Sequence, residues 1–186
     1  MSQQIVVKRD EERFIPLLWT GKETELGYEI VLAEPGASVT FRGLLIGRSD
    51  QNLALDIKVR HEAPNTTSDV VVKAALSDMA KTDITCLTTV VPGAKGANAW
   101  LAAHILLLSN KAKGLAIPSL EILENDIKAG HATTVGQPSE LELFYMMSRG
   151  LSREVAKQLL VQGFLEDIIS TFPPALARRA AKELAL

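Results

Sequence analysis

Cysteine is almost missing from this chain: Cys86 stands alone among 186 residues. A disulfide within the chain is excluded, and so is a metal or cluster site made only of cysteines from one subunit. Aromatic side chains are scarce too, at 5% against 47% hydrophobic overall. The core must therefore be built from Val, Ile, Leu and Ala, which suit stacked strands better than a large pocket. Excess charge of one sign is also lacking. A formal net charge of −2 gives no electrostatic reason to expect nucleic acid or an anionic membrane as a partner. No apolar run approaches the ~20 residues of a membrane span. The N-terminal segment MSQQIVVKRDEER has neither an apolar signal core nor an Arg/Ser-rich transit pattern, so a cytoplasmic protein is expected.

What the chain does have is strand periodicity. Leu53, Leu55, Ile57 and Val59 alternate with Ala54, Asp56, Lys58 and Arg60, a period of two that a helix cannot use. Further strands are expected at residues 4–8, 14–19, 28–33, 38–46, 68–76, 82–91, 99–109 and 116–123. Pro35-Gly36, Pro92-Gly93 and Asn110-Lys111 punctuate them. Residues 97–108 also tolerate a helix, but their short length and flanking turns favour a strand. Strand centres recur about every dozen residues, without a crossover helix between them. Two architectures fit, a sandwich of hairpins or a right-handed parallel β-helix. Asn-Gly and Asp-Gly hairpin turns are absent, which weighs against the sandwich.

The period changes between Val135 and Ser139. Ser139 is an expected N-cap, with Glu140 and Glu142 in the first turn, and Gly150 a left-handed stop. Ser152 caps a second helix with Val155, Leu159, Leu160, Phe164, Ile168 and Ile169 on one expected apolar face. Phe172-Pro173-Pro174 ends it, and Pro174 can open a third helix over residues 175–186, with Leu176 and Leu184 as its larger apolar residues. The expected architecture is mainly β with C-terminal α: a β domain over residues 1–137 and a helical domain over residues 138–186.

Candidate chemistry is sparse. His61, His104 and His131 are far apart in sequence, and none stands beside an obvious nucleophile. His61 reads as a strand-end residue bonding local backbone, and His104 as a structural residue in an apolar strand. His131 differs because Ala129, Gly130, Ala132 and Thr133 leave its imidazole accessible to a partner or a metal. Cys86 lies in a strand and reads as a small buried hydrophobe. Gly93-Ala94-Lys95-Gly96 lacks the spacing and the Ser/Thr of a phosphate-binding loop. No catalytic arrangement is present, so a non-enzyme is expected. Residues 148–160 have the look of a helix-turn-helix. From Ser139 onward, however, six basic residues balance six acidic ones, which argues against a DNA-binding stripe.

Several segments, in order, resemble the SufB/SufD family of iron–sulfur cluster assembly. His61-x-Ala63-Pro64-x-Thr66-x-Ser68 is similar to the family's HxAPxTxS segment, and Leu106-Leu107-Leu108-Ser109 to its LLLS strand. Pro118-Ser119-Leu120-Glu121-Ile122 matches its proline-x-Leu-Glu-Ile strand. The stretch from Asp126 to Gly136 resembles the DVKCSHGATVG run of SufD-like members. Leu143-Phe144-Tyr145 and Ser148-Arg149-Gly150-Leu151-Ser152 resemble its LFY and SRGIS elements. The resemblance implies a short right-handed parallel β-helix followed by a small helical domain. It also implies a scaffold that pairs with a SufB-like or identical subunit and docks a SufC-like ABC ATPase through its C-terminal helices. Arg149, Leu151, Leu159, Leu160 and Phe164 are the candidate docking residues.

Departures from the family pattern limit the chemistry. Ala129 and Ala112 stand where SufD-like and SufB-like members, respectively, carry cysteine. Ala132 replaces a glycine or glutamate, and Cys86 occupies what resembles a glycine position. The chain is shorter than usual members, and the resemblance implies that an N-terminal helical region and several coils are missing. Only the SufD-like histidine carries over, as His131, the candidate iron or cluster ligand. A transient iron–sulfur cluster would then sit at a subunit interface. Two other functions compete: an iron or cluster carrier using His131 with Cys86 or a partner's ligands, and an acyltransferase-like β-solenoid. The chain lacks the hexapeptide repeat of the latter.

Overall fold

The structure, a computed structural model, describes residues 2–184. Ten strands alternate between two parallel sheets. β1 (Ser2–Val7), β3 (Glu25–Leu32), β5 (Asn52–His61), β7 (Lys81–Val90) and β9 (Lys113–Ile122) form one sheet, in that order. β2 (Glu12–Trp19), β4 (Ser38–Gly47), β6 (Thr67–Leu76), β8 (Asn98–Leu107) and β10 (Lys128–Gly136) form the other. Every pairing is parallel, and one complete coil separates Asn52 from Lys81 and Thr67 from Asn98. The molecule is a β-solenoid, not a sandwich of hairpins. The local helix alternative for residues 97–108 is a strand, β8.

The two sheets face each other, and like side chains stack from coil to coil. Ile15, Phe41, Val70 and Leu101 occupy one register position of four successive strands, and all are buried. Tyr28 of the opposite sheet meets Phe41 edge to face, with ring centroids 5.0 Å apart, a favoured aromatic geometry. Branched aliphatic residues fill most of the remaining interior, as a low aromatic content requires.

One corner is a ladder of left-handed residues. Asp10, Gly36, Asn65 and Gly96 all have positive φ. Their N–H groups donate to Pro35, Pro64, Lys95 and Asp126 carbonyls on the following coil. A Cβ on Gly36 would collide with the Asp10 side chain, and one on Gly96 with that of Asn65. Each side chain thus fills the space its glycine neighbour leaves open.

Strand β10 has no counterpart among the strands expected from the sequence. Its nine residues, KAGHATTVG, lack the large alternating residues that mark a strand between two coils. It is the last rung among the described residues, where no further coil packs on its inward face, and residues such as His131 and Thr133 are accommodated there.

Three helices follow: α1 (Glu140–Ser148), α2 (Arg153–Ile169) and α3 (Pro174–Leu184). Ser139 and Ser152 cap the first two, accepting from the backbone N–H groups of Glu142 and Val155. Gly150, at φ 94°, ends the first. The last two residues of the expected third helix lie outside the described residues. Leu165, Ile168, Ile169, Phe172 and Ala180 pack on Leu44, Ile46 and Ala75 from the outer face of the second sheet. The inward face of α2 therefore differs from the expected one: Leu165 and Ala156 are buried, while Val155 and Leu159 face solvent. Among the described residues no helix is long and apolar enough to cross a membrane.

Candidate functional sites on the solenoid end and the helices

His131 continues an interior stack. It pairs in register with Leu101, so it ends the row Ile15–Phe41–Val70–Leu101. Leu101 is buried, but His131 is exposed because β10 is an edge strand. Val135, four residues further along the same strand and on the same inward face, is exposed as well. β9 is the other edge, and its central Pro118 has no N–H to offer a partner strand. β10 has no proline, so its whole free edge can pair.

Apolar side chains gather at this end. Leu115 and Ile117 project from β9, Ile122 and Leu123 close it, and Trp100 lies beside β10. The indole leans so closely over Gly130 that a Cβ there would come within 2.7 Å of a ring carbon. The opposite end exposes only Val6 and Phe14 among the described large apolar residues of its strands. Exposed large apolar residues are thus more numerous near the β9–β10 end than at the other end, on the outer faces of both sheets.

Cys86 is elsewhere. It belongs to the middle of β7 in the first sheet, faces the core, and is 1% exposed. Burial, with a smaller contribution from Asp56, pushes its thiol up to about 12, so it stays protonated and poorly nucleophilic. The fold does not bring Cys86 and His131 together: they lie on different coils as well as in different sheets, Cys86 buried on β7 and His131 exposed on the edge strand β10. Among the described residues no three His, Cys, Asp or Glu side chains converge to hold a metal. A lone exposed imidazole does not complete a cluster site, so any cluster here would draw on another subunit's ligands.

The other two histidines also have definite places. His61 is fully buried, with Nδ1 2.8 Å from Thr66 Oγ1 and Nε2 2.8 Å from Ser68 Oγ. Its partners are hydroxyls, not the backbone groups expected from its strand-end position. Desolvation pulls it down to about 4. His104 lies on the outer face of the second sheet, with Nδ1 2.9 Å from Thr134 Oγ1. Its affinity for a proton is lowered first by desolvation and then by Lys73.

A second apolar surface covers α1 and the start of α2. Leu141 and Phe144 are 77% and 69% exposed, and Tyr145, Met147, Val155 and Leu159 are exposed beside them. Leu160 joins Leu141, Tyr145 and Met146 around an open cleft of about 510 Å³. Arg149 stacks its guanidinium 5.4 Å from the Tyr145 ring centroid, which leaves a cation at the rim of the patch. Leu151 is half-buried. Phe164 instead packs inward against the sheet, under the Lys73 ammonium at 4.8 Å. Leu141, Phe144 and Tyr145 were missed as candidates. Their signal was an apolar count too high for a short helix that buries only Leu143.

Comparison with known proteins agrees with the segments noted in the sequence. The family described as "SUF system FeS cluster assembly, SufBD core domain" matches residues 8–164. The iron-sulfur cluster assembly protein SufD of Bacillus subtilis is 32% identical over 130 residues, covering 70% of this chain and 30% of the relative. SufB of the same organism is 33% identical over 144 residues, covering 77% and 31%. An iron-sulfur cluster assembly SufBD family protein of Mycobacterium bovis is 35% identical over 136 residues, covering 73% and 16%. The chain therefore spans less than a third of each of these relatives, and it is about equally similar to SufD and SufB.

Proposed function

The chain belongs to the SufBD family of the SUF iron–sulfur cluster assembly system, and from that premise we propose that it is a non-catalytic, SufD-like scaffold subunit of the cytoplasm. It docks a SufC-like ABC ATPase on its helices and pairs with a SufB-like or identical chain through the end of its solenoid. The observation that carries this reading is the distribution of exposed apolar side chains. One set rims the β9–β10 end, and another covers α1 and the first half of α2. Two separate patches suit two separate partners. The SufD-like assignment rests on His131 within the matching stretch and on Ala112, where SufB-like members carry cysteine. The buried, protonated Cys86 favours docking over a self-sufficient cluster carrier.

Anaerobic co-purification with a SufC-like ATPase tests the reading. A stable complex that retains the chain through a column is expected. Two folded proteins that fail to associate at micromolar concentration would refute it. If the same complex is reconstituted with iron and sulfide, His131→Ala should lower cluster occupancy only when a pairing subunit is present.

A further inference from the structure

Helix α2 changes its surroundings at Gly163. Beyond it, Leu165, Ile168 and Ile169 are buried on the sheet. Lys73 of β6 reaches across, and its Nζ donates to the Phe164 carbonyl and both Asp167 carboxylate oxygens, each at 2.7 Å. This half is clamped. Before Gly163, Val161 still touches the edge of this cluster, while Lys157, Gln158 and Gln162 face the ends of β4, β6 and β8 across a cleft of about 350 Å³. A second, polar cleft of about 340 Å³ separates the start of α1 from the end of β8. Among the described residues, one side-chain hydrogen bond ties this half to the solenoid, from Lys157 Nζ to the Leu108 carbonyl at 2.5 Å.

The loosely seated part holds together internally. Arg153 of α2 pairs with Glu140 of α1 at 2.6 Å. It is entered through Pro138 and left through Gly163. Glycine is the poorest helix former after proline, and here packing does not demand it. A Cβ at Gly163 would meet nothing within 4 Å, and its φ is not positive.

We propose that Gly163 is a hinge, and that residues 139–162 form an arm that swivels over the two clefts while the rest of α2 stays clamped by Lys73. The arm carries Leu141, Phe144, Tyr145 and Leu159, so the exposed helical patch moves relative to the solenoid end. The hinge itself rests on contacts within the chain and not on the identity of any partner.

Hydrogen exchange of the isolated full chain, followed by mass spectrometry, tests it. Amides of residues 155–162 should exchange faster than those of residues 165–169. Gly163→Ala should slow the first stretch about fivefold, in line with its gain in helix propensity, and leave the second unchanged. Lys157→Met should speed the first stretch alone. Equal rates in the parent, or equal slowing of both stretches by Gly163→Ala, would overturn the hinge. An absent ATPase complex would leave these results untouched, so the two readings fail separately.

Discussion

Acid should weaken this fold through one buried ring. Thr66 Oγ1 donates its proton to the Ala63 carbonyl at 3.1 Å, so it can only accept from His61. Nδ1 therefore carries the hydrogen, and the bare Nε2 accepts from Ser68. A second proton on Nε2 would oppose the Ser68 donor and place a charge in a dry core. The folded ring titrates at about 4, against 6.5 when unperturbed. The unfolded chain binds more protons across that window, so stability falls as the pH drops. His61 contributes in full above its unfolded value, and its contribution is lost progressively down to about pH 4. The gap corresponds to about 3 kcal/mol at most. Urea midpoints of the parent and His61→Gln, taken from pH 7 to pH 4, would show it. The variant keeps a donor and an acceptor but does not titrate. It should be the less stable protein at pH 7, and its deficit should shrink by about 3 kcal/mol by pH 4. Carboxylates affect both proteins and cancel in the difference. Parallel curves would refute the reasoning.

Two other outcomes follow from the same packing. Phe41→Ala removes a fully buried ring from the middle of an interior stack and should cost about 3–5 kcal/mol in urea unfolding. Val135→Ala at the open end should stay within about 0.5 kcal/mol, so equal costs would contradict the stack. Cys86, buried and held protonated, should resist a thiol reagent in the native protein at pH 8 and react fully in urea. Rapid native reaction would mean that β7 opens.

The sequence was legible where a coil lies on both sides of a strand. In β5 the inward residues are Leu53, Leu55, Ile57 and Val59, and their alternation is the burial pattern itself. β10 was illegible for the complementary reason. An edge rung has one neighbouring strand, so His131, Thr133 and Val135 need not be large or apolar. The helices show a second limit. α2 is apolar on two sides, one against the sheet and one free, and periodicity alone merges them. The expected face therefore includes Val155 and Leu159, which are exposed, and leaves out Leu165, which is buried. His61 illustrates a third: its spacing to Thr66 and Ser68 was visible as a motif, but the pairing of ring nitrogens with hydroxyls appears only when the corner is folded.

The two-surface account is tested most directly by charging each patch in turn. Binding of a SufC-like ATPase would be measured by calorimetry, and self- or SufB-pairing by sedimentation, on Leu141→Asp/Phe144→Asp and on Leu115→Asp/Ile117→Asp. All four side chains are exposed, so the fold should survive, with unfolding midpoints close to the parent's. The account predicts that the helical variant loses the ATPase but still pairs, and that the solenoid-end variant does the reverse. ATPase binding that is indifferent to Leu141 and Phe144, with pairing indifferent to Leu115 and Ile117, would contradict it.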